Sequence, residues 1–159
     1  MSRITQLACA IALTSSIAAP IMAATMSPME KAVKARQGYM QVSAFNIGIL
    51  AAMIKGKAPY DAAQAEAAAN NLKLASMMNN KAMWIPGTGN DNPDLKTKAL
   101  PKIWQADSKI GEKAQAFGRA TEGLVEVAGQ GLDTMKPKFV ALGKSCKGCH
   151  KSYRAADKK

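Results

Sequence analysis

Val33, Gln37, Met40, Ala44, Ile47, Ala51 and Ile54 recur at alternating steps of four and three. That rhythm puts them on one stripe of a helix, and all but Gln37 are apolar. A second apolar stripe, Val42, Phe45, Ile49 and Ala52, runs beside it. A helix with two apolar stripes touches neighbours on two sides, as bundle helices do. Ser27 suits its N-cap and Pro28 its first turn, and Gly56 after Lys55 suits its end. Nothing elsewhere competes with helix. Aromatics are 5% of the chain, β-branched residues are sparse, and no alternating run of Val, Ile or Tyr marks a strand.

Three more helices are predicted. Asp61, with Gln64 three residues on, opens the second as a capping box, and it continues to about Asn79. Residues 81–98 hold Pro86, Gly87, Gly89, Asn90, Asn92 and Pro93 and read as a loop. The third helix is expected from Pro101 through Trp104, Ile110, Phe117 and Leu124 to Ala128, ended by Gly129 and Gly131. Asp133 or Thr134 is expected to cap the fourth, with Pro137 in its first turn. The short connections at 55–61 and 129–133 make neighbours antiparallel. The expected fold is all-α, an antiparallel up-down-up-down four-helix bundle.

The first 24 residues read as a secretory signal peptide rather than part of the bundle. Arg3 is the only charge before Glu30, and an apolar stretch from Leu7 to Ala19 follows it. The stretch is too short for a membrane span. Cleavage is placed after Ala23 or Ala24, although Ile21 and Met22 meet the small-residue rule poorly, and Cys9 goes with the discarded peptide. The expected mature domain is 25–159, in the periplasm. Losing Arg3 takes the formal charge from +11 to +10. The lysines are spread along the chain without a block or interleaved aromatics, so they read as a solvated surface and not as a nucleic-acid site.

The mature chain then keeps two cysteines and one histidine, within the five residues Cys146-Lys147-Gly148-Cys149-His150. Cys-x-x-Cys-His is the spacing of c-type haem attachment. Cysteines three apart on a helix reach the two vinyl groups of one porphyrin, and the next residue stands under the iron. A thioredoxin-like pair needs a βαβ setting. Structural zinc needs four ligands. A plain disulfide leaves His150 unexplained. The sixth position of the iron stays open at this point, to Met, to Lys or to no protein ligand.

These pieces together resemble cytochrome c′, the class II c-type cytochromes, over nearly the whole mature chain. The marks are Arg36-Gln37 with Met40, Lys55-Gly56 with Pro59-Tyr60-Asp61, Pro86-Gly87-Thr88, Ile103-Trp104, and the haem motif followed by Tyr153-Arg154. The resemblance implies one covalent haem c per chain and a homodimer through helices one and two. It implies a five-coordinate, high-spin iron with His150 as axial ligand. Met40 matches the apolar residue that covers the other face. Arg36 would reach a haem propionate, Arg154 would lie near the proximal face, and Trp84 matches an aromatic near the distal pocket or else simply packs. A low-spin branch of the same fold uses Met at the position of Met40 as sixth ligand, so Met40 fits both branches.

Two functions follow. One is a binder of small diatomic gases, nitric oxide or carbon monoxide. The other is an electron carrier with Met40 on the iron and an acidic redox partner drawn by the lysines. No convergent set of distal acid and base groups argues for an enzyme.

Overall fold

A computed structural model describes residues 25–156; the expected signal peptide, residues 1–24, lies outside them. Four α-helices carry the fold, α1 (Pro28–Ile54), α2 (Ala62–Met77), α3 (Ile110–Val125) and α4 (Leu132–Tyr153). Among the described residues β-pairing is confined to one isolated bridge, Ala99 with Arg154. α2 packs on α1 and α3, and α3 packs on α4, giving the expected antiparallel bundle. Among neighbouring helices, α1 and α4 meet over the fewest residues. The bundle is therefore least closed along that edge.

The N-termini of the first two helices follow sequence closely. Ser27 Oγ accepts from Glu30 N while the Glu30 carboxylate accepts from Ser27 N, a full capping box. Asp61 accepts from Gln64 N at 2.9 Å, but the Gln64 side chain returns no bond, so the capping box expected at α2 is only half formed. Gly56 takes φ +67° to end α1, a conformation costly for any residue with a Cβ. α2 stops at Met77, two residues before the expected end.

The second half departs further. Pro101–Trp104 is a separate 3-10 turn and α3 begins only at Ile110. The chain bends between them because three groups are held from outside: Ile103 is buried, Trp104 Nε1 donates to Trp84 O at 2.9 Å, and Lys109 N donates to the Tyr153 hydroxyl at 2.8 Å. Neither Asp133 nor Thr134 caps α4. Gly131 stands at the N-cap with φ +111°, so the helix starts at Leu132 and Pro137 falls as its sixth residue, past the first turn. Pro137 has no N–H to donate there. A short 3-10 turn, Lys81–Met83, also lies within the expected loop.

The apolar core fills one end of the bundle. Leu50 and Met53 near the end of α1 meet Ala65, Ala68, Ala69 and Leu72 of α2, Leu124 and Ala128, and Met135 and Leu142 of α4. The alanines let α2 come close to its neighbours. Tyr60 seals the same end: its hydroxyl donates to Ala128 O at 2.8 Å and accepts from Gly131 N at 2.9 Å. At the other end α1 faces α2 with polar groups. Asn71 donates to the buried Asn46 at 3.0 Å, and the Tyr39 hydroxyl donates to Ala75 O at 3.2 Å. The stripe expected to be core, from Gln37 through Met40 to Ala44, is turned away from α2 at this end and toward the open edge with α4.

Candidate functional site

The open edge holds a cleft of about 900 Å³. That is within the range of about 300–1,000 Å³ usual for cofactor sites. Gln37, Met40, Gln41 and Ala44, at helical steps of three, one and three, supply the α1 wall. Cys149, His150, Tyr153 and Arg154 supply the α4 wall. Residues 96–99 cross between the two helices and close one side, so they are called the strap below.

The strap is fixed at both ends. On the α1 side, Gln37 Nε2 donates to Lys96 O at 2.7 Å and Arg36 Nη2 donates to Thr97 Oγ1 at 3.1 Å. On the α4 side, Leu100 N donates to Tyr153 O at 2.9 Å and Ala155 N donates to Lys98 O at 2.8 Å. This pairing is the Ala99–Arg154 bridge.

The two cysteines are placed differently. Cys146 packs against the core cluster, while Cys149 lines the cleft. Burial pushes both thiols above their ordinary value. That is opposite to the depressed value a redox thiol pair needs. His150 is exposed on the cleft wall, and partial desolvation, then the positive Arg154, lowers its imidazole from the ordinary value, which favours the neutral form that can donate a lone pair to a metal. No group of three or more His, Cys, Asp and Glu side chains is placed to hold a bare metal ion among the described residues. The donor set therefore fits a metal brought in a macrocycle better than zinc. The lining supports this: apolar walls from Met40, Ala44, Ile103 and Ile110, and a cationic margin of Arg36, Lys96, Lys98 and Arg154 without a carboxylate among the lining residues. An apolar ring bearing two acid groups matches both parts.

The residues expected at the site divide as follows. Cys149, His150, Arg36, Gln37, Met40, Trp84 and Arg154 all line the cleft, and Cys146 lies one turn from it. Met40 keeps 39% of its surface exposed. Arg36 borders the cleft, yet both its terminal nitrogens are committed to the 81–98 loop. Trp84 both lines the cleft and packs, its ring 4.8 Å from the Arg36 guanidinium carbon. Sequence reasoning missed Gln41, Thr97 and Ile110 at the site. Gln41 could have been found by extending the face one step from Gln37; the two others carry no local signal.

Comparison with known proteins agrees with the geometry. A family profile described as Cytochrome C′ matches residues 31–154. The chain is similar to the cytochrome c′ of Cereibacter sphaeroides, with 37% identity over 145 residues, 91% of this chain and 96% of that one. It is similar in structure to a cytochrome c′ with an unusual ligand-controlled dimer dissociation, at 34% identity and TM-score 0.73, covering 84% of this chain and 100% of that one. It is also similar to a nitric oxide complex of a variant of cytochrome c prime from Alcaligenes xylosoxidans, at 34% identity and TM-score 0.70, covering 84% and 100% of the two chains.

Proposed function

Because the chain belongs to the cytochrome c′ family, and so carries one covalent haem c, we propose that it is a periplasmic binder of small diatomic gases, nitric oxide above all. In this reading Cys146 and Cys149 hold the haem, His150 is the sole protein ligand of a five-coordinate, high-spin iron, and Met40 covers the other face. Haem in the cleft supplies an iron that takes up a gas molecule and changes oxidation state by one electron.

The observation that carries the reading is Met40. It lies on the α1 wall of the cleft whose α4 wall holds His150. Its side chain is bulky and has no donor for hydrogen bonding. Ligands that depend on a hydrogen bond or on a negative charge gain nothing from it, whereas an uncharged diatomic needs neither. The nearest polar neighbour along the face, Gln37, spends its amide on Lys96 O.

Optical spectra of the oxidised and reduced protein test this. High-spin spectra in both states, with a nitric oxide adduct of the reduced form, are expected. A low-spin spectrum with the near-infrared band of methionine–iron ligation would overturn it. That result would favour the second reading, an electron carrier with Met40 as sixth ligand and an acidic redox partner, which the same position of Met40 permits.

The chain is further proposed to form a homodimer through α1 and α2. Phe45 (70% exposed) and Val42 stand outward on α1, and Leu74 (65% exposed), Met77 and Met78 stand outward at the end of α2. Scattered apolar residues on a surface need no explanation, but a cluster on two adjacent helices does. Residues 1–24 are proposed as the export signal that delivers the chain to the periplasm.

A further inference from the structure

Arg36 lies one turn before Met40 on α1 and is 4% exposed. Nη1 donates to Met83 O and to Thr88 Oγ1, each at 3.1 Å, and Nη2 donates to Thr88 O at 3.0 Å and Thr97 Oγ1 at 3.1 Å. Its guanidinium carbon lies 4.8 Å from the Trp84 ring centre and 5.9 Å from that of Trp104. The Trp104 indole is itself tied to Trp84, its Nε1 donating to the Trp84 backbone carbonyl. All four acceptors are neutral and all belong to the segment between α2 and α3. A buried charge is costly unless its donors are satisfied. Here the planar fork of guanidinium meets them two by two and stacks on aromatic faces, which a lysine ammonium cannot do.

This cage sits at the root of the strap. One bond of the fork ends on Thr97, inside the strap, and two end on Thr88, which is fully buried and bonds back to Ile85 O at 2.6 Å. The strap then runs along the cleft to the backbone of Tyr153 and Ala155, beyond His150.

We infer that Arg36 is a positioning residue that, through its fork and not its charge alone, holds the strap against the cleft and keeps water from that side of the haem. The inference rests on haem occupying the cleft and is independent of which gas binds. A loosened strap raises the polarity around the iron, which favours its more highly charged ferric form. Charge alone and fork make opposite forecasts for Arg36→Lys. Lysine keeps the charge and loses the fork.

The test uses the haem-loaded protein with two readouts that need no gas. Amide hydrogen exchange is followed at Asn90, Leu100 and Ala155, whose N–H groups bond Ala99 O, Tyr153 O and Lys98 O. Leu72 and Leu124 in the core serve as reference. The ferric–ferrous equilibrium is measured beside it. Arg36→Lys is expected to speed exchange at the three amides that anchor the strap and its end tenfold or more, leave Leu72 and Leu124 unchanged, and move the equilibrium several-fold toward ferric. Thr97→Val, which removes one bond of the fork and with it the Oγ1 that accepts from Ala99 N at 3.2 Å, is expected to do the same to a smaller degree. Native exchange and a native equilibrium in Arg36→Lys overturn the inference. If Arg36→Lys fails to fold, Thr97→Val decides alone, and native behaviour there overturns it equally. Since neither measurement involves nitric oxide, loss of the gas-binding reading leaves the result interpretable.

Discussion

Met40 of α1 and His150 of α4 line one cleft from two different helices. Whether Met40 ligates or only covers separates a gas binder from an electron carrier. Met40→Leu keeps the bulk and cannot ligate, so the spectrum is expected to stay as in the native protein. Met40→Ala opens space, and carbon monoxide affinity should rise while cyanide or imidazole gains entry. Its cost in stability should fall below the roughly 2–5 kcal/mol of a fully buried Met→Ala, because Met40 is partly exposed. A change from low-spin to high-spin in Met40→Leu sinks the gas-binding reading.

Covalent attachment is tested by mass. Replacing both Cys146 and Cys149 by Ser should remove the haem mass from denatured protein. Haem that survives denaturation in the double variant would show that attachment lies elsewhere.

The outward face of α1 and α2 predicts an assembly that charge can break. Phe45→Asp should shift the protein from dimer to monomer in sedimentation at micromolar concentration, with the haem spectrum intact. A native protein that sediments only as a monomer counts against the dimer.

Tyr60 joins the carbonyl of Ala128 to the amide of Gly131 across the turn between α3 and α4. Tyr60→Phe leaves a partly buried donor and acceptor without their partner. A loss of about 1–3 kcal/mol in denaturant unfolding is expected. The site lies at the opposite end of the bundle, so the spectrum should not change. A stability equal to that of the native protein would show that solvent replaces the hydroxyl at no cost.

Much of the site was legible because its chemistry is local. Cys146, Cys149 and His150 lie within five residues of one helix, and Met40 and Gln37 share one stripe of α1. The direction of that stripe was not legible. Apolarity marks a face without saying whether protein or cofactor covers it, and in α1 the cleft takes the Met40 side while Arg36, Ser43 and Asn46 are buried. The start of α3 was misread for a similar reason. Nothing in Gln105-Ala106-Asp107 forbids a helix; the break is imposed by Trp84 and Tyr153, which are distant in sequence. The acceptors of Arg36 were hidden likewise, since Thr88 and Thr97 lie more than fifty residues away and carry no pattern of their own.

The bridge between Ala99 and Arg154 gives the site an order in time. Its two halves are separated in sequence by the whole of α3 and α4. A chain emerging from its N-terminus can form α1 and α2 early. It cannot close the strap, or present the cysteines beside Met40, until its final turn of helix has arrived. Closure of the strap is therefore a long-range contact that waits on α4, and any change that frays the last turn of α4 also unpins the segment beside Met40.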